Sequence, residues 1–126
     1  MKKAIATTAA PGAVGPYSQG IEANGFVFVS GQIPVDPATG AFAPGGVADQ
    51  TTQSLKNISA VLAAAGCTMD DVVKTTVFLT DMGRFTVMNE AYTKFFKGDC
   101  PARSAVQVGA LPKGAQVEIE AIAAKK

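Results

Sequence analysis

Phe26-Val27-Phe28-Val29 is the stretch on which the fold turns. Its residues are β-branched or aromatic throughout, and they predict a strand. No polar residue alternates with the apolar ones, so both faces of the sheet require cover there. Ala121-Ile122-Ala123, at the end of a second predicted strand over Val117–Ala123, has the same two-sided apolar character. Val72 to Thr80 is rich in β-branched residues and reads as a third strand, and Ala105–Val108 as a short fourth.

Between these strands the period changes. From Val47 to Ala65, apolar or small residues recur at helical spacing (Thr51, Leu55, Ile58, Leu62, Ala65), and Gly66 offers a C-terminal cap. A second helical stripe comprises Phe85, Met88, Tyr92, Phe95 and Phe96, with Asn89 off it and Gly98 closing it. Glycine and proline cluster at Pro11–Pro16, Pro34–Gly46, Gly98–Pro101 and Gly109–Gly114, which punctuates the elements. The order of strands, helix, strand, helix, strands gives an α+β class. The 126 residues suit a single domain. Two helices cover one face of such a sheet and leave the other. A second subunit is the expected cover, which predicts a homo-oligomer; the alternative is a cap of long loops.

Composition excludes several function classes. Apolar residues make up 48 % and charged residues 17 %, below the usual share of roughly 25 %, which excludes intrinsic disorder. The formal net charge is +1, the only arginines are Arg84 and Arg103, and the lysines form no stripe, so no nucleic-acid partner is expected. With no histidine, the chain cannot build a Ser-His or Cys-His pair or a histidine metal site. Cys67 and Cys100 lack metal or redox spacing and read as unpaired core thiols in a reducing compartment, with a single disulfide as the alternative. The opening Met1-Lys2-Lys3-Ala4-Ile5-Ala6 breaks at Thr7-Thr8, short of a secretory signal, and no stretch is long enough to span a bilayer. The expectation is a cytoplasmic protein with no membrane partner.

A few residues could carry chemistry. Arg103, in Pro101-Ala102-Arg103-Ser104, has the planar fork that grips a carboxylate bidentately, although an arginine in a surface ion pair reads the same way. Glu118 and Glu120 alternate with apolar neighbours and so share one sheet face, about 7 Å apart. That spacing suits paired acid–base carboxylates or a half-solvated strand. Tyr17, in Gly15-Pro16-Tyr17-Ser18-Gln19, is a proton donor or a packed aromatic. Gly31, in Ser30-Gly31-Gln32, lets backbone approach a ligand or simply turns the chain. Ser30 has no histidine to make it a nucleophile. Asn89 could donate a hydrogen bond or merely be wet.

Taken together these blocks resemble the RidA/YjgF family, also known as L-PSP endoribonucleases or translation inhibitors. The resemblance runs from Ala10-Pro11 and Gly15-Pro16-Tyr17-Ser18-Gln19 through Val29-Ser30-Gly31-Gln32-Ile33-Pro34, Lys74–Leu79, Met88-Asn89-Glu90-Ala91-Tyr92 and Phe95-Phe96. It continues to Pro101-Ala102-Arg103-Ser104, Leu111-Pro112-Lys113-Gly114-Ala115 and Val117–Ala123. It implies a chorismate-mutase-like fold, with two helices on one face of a mixed sheet, and a homotrimer with sites at subunit interfaces. It also implies a cofactor-independent, metal-free deaminase that hydrolyses 2-iminopropanoate and 2-iminobutanoate to 2-keto acids and ammonia. A small-carboxylate-binding or chaperone-like trimer and an endoribonuclease are the alternatives. By resemblance Arg103 grips the substrate carboxylate and Glu118 holds or activates water. Tyr17, Ser30, Gly31 and Asn89 line the site, some facing a neighbour's Arg103. Ala105 stands where many relatives carry cysteine, and there backbone groups are implied to serve.

Overall fold

A computed structural model describes residues 1–126. In chain order the elements are β1 (Lys3–Ile5), β2 (Gly20–Ala23), β3 (Phe26–Gln32), α1 (Val47–Ala64), β4 (Val72–Leu79), α2 (Phe85–Thr93), β5 (Ala102–Gln107) and β6 (Val117–Ala124). Single 3-10 turns occupy Met69–Asp71, Met82–Arg84 and Pro112–Gly114. The six strands form one mixed sheet in the order β1-β2-β3-β6-β4-β5. Only β4 and β5 run parallel, and α2 makes the crossover that a parallel pair requires.

Alternation along the strands sorts the core from the open face. Val27, Val29, Val77, Leu79, Val117, Ile119, Ala121 and Ala123 are all buried on the helix side. There they meet Leu55, Ile58, Val61 and Leu62 of α1 and Met88 and Tyr92 of α2. Each large aliphatic side chain so enclosed contributes roughly 1.5–3 kcal/mol. Helix α1 starts where Asp49 accepts the Gly46 N–H at 3.2 Å. It ends in a Schellman turn: Gly66 takes φ +79°, while Gly66 N and Cys67 N donate to the Ala63 and Leu62 carbonyls.

The other half of the doubly apolar strand meets no cover within the chain. Phe26 and Phe28 are each 43 % exposed, so the loops do not cap this end of the face.

Several boundaries differ from the sequence reading. The second helix stops at Thr93, and Phe95 and Phe96 continue it only as i→i+3 turns, with N–H groups bonded to the Tyr92 and Thr93 carbonyls. Phe96 still reaches the core, its ring centroid 4.8 Å from that of Tyr92. Strand β5 begins at Ala102 rather than Ala105, because β4 supplies a ladder from Lys74↔Ala102 to Leu79↔Gln107 that Ala-Arg-Ser has little propensity to form alone. Strands β1 and β2 are too short to carry a strand pattern of their own. The Asn24-Gly25 pair, with φ +51° and +80°, was the available signal for the hairpin that joins β2 to β3. Cys67 is buried as expected, but Cys100 is exposed.

Candidate active site

Residues from β3, β6 and the loops beside them line a cavity of about 850 Å³. Strand β3 bulges here: Val29 pairs with Ala121 and Gln32 with Ile119, so Ser30 and Gly31 together oppose Glu120. Glu118 and Glu120 both line the cavity, as their alternation requires, with Tyr17, Ser30, Gly31 and Lys113. The Glu118 carboxylate lies over Gly31, where a Cβ would sit 2.9 Å from Glu118 Cδ and 3.2 Å from Cγ. Gly31 does not have a left-handed φ, so its lack of a side chain serves the carboxylate and not the backbone.

This yields a sharp expectation for Gly31→Ala. The clash falls on the end of a flexible side chain, so the variant folds with a melting temperature close to the parent. Its carboxylate is displaced by the order of an ångström, and catalysis falls by about 10²-fold. Equal losses of stability and activity would refute this role for Gly31.

The wall of the cavity depends on one buried amide that sequence reasoning passed over. Gln19 is 5 % exposed; its Oε1 accepts from Thr7 N at 2.7 Å, and its Nε2 donates to the carbonyls of Thr7, Ala10 and Pro11. It thereby clips the 7–11 segment against the strand that follows Tyr17. The Ser30 hydroxyl donates to the Ser18 carbonyl, and the Ser30 N–H donates to the Gln19 carbonyl at 3.0 Å. Ser30 thus ties the Tyr17 loop to the bulge. Tyr17 itself is 49 % exposed at the cavity. On the far wall, Asn57 of α1 donates to the carbonyls of Ile33 and Val35. The only signal for Gln19 was its place between a serine and a buried strand, which does not reveal four hydrogen bonds.

Burial pushes the Glu118 carboxyl above its ordinary value, and the neighbouring Glu120 adds to the rise. Glu120→Gln removes one negative charge and makes Glu118 easier to ionise. The acid limb of a rate profile governed by Glu118 is therefore expected to move to lower pH in that variant. A limb that stays put or moves upward would separate the two carboxylates.

A second group gathers elsewhere. Arg103 pairs in register with Thr75, whose buried hydroxyl bonds Tyr92 Oη at 2.7 Å, so Arg103 lies on the helix side of the edge strand β5. Its guanidinium carbon lies 4.8 Å from the Tyr92 ring centroid and 5.4 Å from that of Phe85, within cation–π range of both. Arg103 Nη1 donates to Asn89 Oδ1 at 2.8 Å. Asn89 falls four residues after Phe85 and three before Tyr92, on the Arg103 side of α2 and not off the stripe as its polarity suggested. Ala105, two residues on, is half-buried above the core opposite Val77. The only ion pairs, Lys125–Glu22 and Lys126–Asp71, leave Arg103 without a carboxylate partner. The ion-pair reading of this arginine therefore fails.

The sequence-derived site residues thus form two clusters on opposite faces of the sheet. Tyr17, Ser30, Gly31, Glu118 and Glu120 share the cavity; Asn89, Arg103 and Ala105 do not line it. No three histidine, cysteine or acidic side chains converge as a metal site.

The endoribonuclease L-PSP family model matches residues 7–125. A mouse protein named 2-iminobutanoate/2-iminopropanoate deaminase is 51 % identical over 98 % of this chain and 91 % of its own length. The chain belongs to the RidA/YjgF (L-PSP) family. Among other relatives, a RutC family protein of Pyrococcus horikoshii is 52 % identical over the full length of both chains. The crystal structure of E. coli TdcF with bound serine superposes with a TM-score of 0.94 at 49 % identity, covering 98 % of this chain and 99 % of that one. The E. coli YjgF structure gives the same TM-score at 48 % identity and the same coverage. The α+β architecture, a mixed sheet with two helices on one face, is therefore the RidA/YjgF fold. Names within the family are mixed, spanning imine deaminase, endoribonuclease and RutC protein. No helix of this RidA/YjgF chain is long and apolar enough to cross a membrane.

Proposed function

We propose that this chain is a cofactor-independent deaminase that hydrolyses 2-iminopropanoate and 2-iminobutanoate to 2-keto acids and ammonia. The observation that carries the reading is Arg103: a guanidinium stacked on two aromatic rings, with no acid within the chain to neutralise it. Such a group is a ready receptor for a small carboxylate. Relatives at about half identity are named for these substrates, and serine, another small 2-substituted carboxylate, is bound in TdcF.

The two clusters become one site if copies of the chain associate. In the proposed homotrimer the open face carrying Phe26 and Phe28 is covered by neighbours, and Arg103 of one copy faces the Glu118 cavity of the next. The carboxylate is then held by Arg103, and a water bonded to Glu118 attacks the imine carbon. A C–O bond forms as the C=N π pair moves to nitrogen and Glu118 takes a proton from the water. Nitrogen takes one proton from Tyr17, in reach of the cavity, which completes the neutral carbinolamine, and a second from Glu118, which makes the leaving group ammonium. The C–N bond then breaks as the keto C=O forms, ammonia leaves, and the hydroxyl proton returns to Tyr17. Imine hydrolysis proceeds unaided in water, so positioning and acid–base help suffice. Glu118's raised pKa favours the base role.

The deciding assay follows ammonia and 2-keto acid release from 2-iminobutanoate generated in situ by a threonine dehydratase. Acceleration of the release is expected; hydrolysis at the solvent rate would leave a small-carboxylate-binding trimer instead. The paired carboxylates at the cavity disfavour a phosphodiester substrate, and no RNA cleavage is expected.

A further inference from the structure

Arg103 has five N–H donors, and the protomer engages only one of its nitrogens. Nη1 donates to Asn89 Oδ1 at 2.8 Å and also approaches Met88 Sδ at 4.0 Å, so this nitrogen faces α2. Nη2 and Nε have no partner. Because arginine cannot accept, the facing atom of Asn89 must be its amide oxygen. The rings of Phe85 and Tyr92 both lie within cation–π range of the guanidinium, and the Tyr92 hydroxyl is itself bonded to Thr75. Phe85, Met88, Asn89 and Tyr92 follow at i, i+3, i+4 and i+7, so a single face of α2 builds the whole cradle.

We propose that Asn89 is a positioning residue: it pins Arg103 Nη1 so that the Nη2–Nε edge, and not the Nη1–Nη2 fork, receives the substrate carboxylate. The nature of the ligand rests on the function proposed above; the pinning of the guanidinium does not. A neutral acceptor is required at this position. An aspartate would keep the hydrogen bond, but its charge would neutralise Arg103 and compete with the substrate. Asn89 then acts through Arg103, and its own amide nitrogen is not needed by the substrate.

Two measurements test this. The first is kinetic, on the full-length protein. Asn89→Leu is expected to raise KM for 2-iminobutanoate by roughly tenfold to a hundredfold with kcat changed by less than about threefold, the mark of lost carboxylate positioning. Asn89→Asp is expected to raise KM at least as much while keeping the parent melting temperature, which separates charge from folding. KM values near the parent in both variants, with Arg103→Ala inactive, would overturn the inference and leave the deaminase intact. Loss of kcat alone in Asn89→Leu would make Asn89 a direct participant and overturn it too. The second measurement needs no activity. The chain has only two arginines, so Arg84→Lys assigns the guanidinium resonances. Slow Cζ–Nη1 rotation at Arg103 is expected in the parent, becoming fast in Asn89→Leu. Fast averaging in the parent would refute the pinning even if no imine is hydrolysed.

Discussion

Arg103→Ala is expected to lower kcat/KM for 2-iminobutanoate by about 10²- to 10³-fold, the loss that follows removal of one member of a buried charge-assisted pair. The substitution removes the guanidinium that stacks on Tyr92 and Phe85 and that has no other ionic employment in the chain. Arg103→Lys restores the charge but not the planar edge, and it cannot serve Asn89 and a carboxylate with one geometry, so it recovers only part of the loss. The assay is the coupled release of ammonia, read against the uncatalysed rate. Turnover close to that of the parent in Arg103→Ala would remove the carboxylate clamp from the mechanism.

Glu118→Gln carries the second large effect, and it points in two directions. The amide is nearly isosteric with the carboxylate and cannot take a proton from water, so turnover is expected to fall by about 10²- to 10⁴-fold. Stability is expected to move the other way. Burial, with Glu120 in support, raises the Glu118 pKa in the folded chain above its unfolded value of roughly 4.3. A carboxyl with a raised folded pKa is easier to protonate folded than unfolded. Its ionisation therefore costs stability, beginning as pH rises through the unfolded value and complete above the folded one. Glutamine has no such cost, so the variant should melt higher than the parent at neutral pH. The gap should close as pH falls below about 4, where both carry a neutral group. Paired thermal scans at the two pH values check the sign. A variant that melts lower at neutral pH would mean that Arg103 of the neighbouring copy, which the proposed trimer brings to this cavity, outweighs burial and Glu120 and stabilises the ionised Glu118.

Read from the chain alone, the two cavity carboxylates were legible because alternation on a strand is a local property. Val117, Ile119 and Ala121 point inward, so Glu118 and Glu120 must point outward together. Arg103 was visible as a candidate but not as a receptor. Whether an arginine is paired depends on acids anywhere in the sequence, and only the folded chain reveals that none is near. The role of Gly31 was equally hidden. As a strand-end glycine it suggests a turn, whereas its Cβ position is occupied by a side chain 87 residues away in sequence, counted from Gly31 to Glu118.

The sequence by itself determined the α+β class, both helices, the central strands and the outward pair Glu118 and Glu120. These follow from periods of 3.6 and 2, which nearest neighbours along the chain impose. It also determined that Phe26–Val29 needs cover on two sides, because apolar surface must leave water wherever it falls. Only the tertiary structure decided that β5 extends back to Ala102, that Gln19 clips the cavity wall, and that Arg103 and Glu118 occupy opposite faces of one sheet. Those outcomes rest on strand order, register and long-range hydrogen bonds. Such contacts join residues far apart in the chain, and no local pattern of residues encodes which partners they meet.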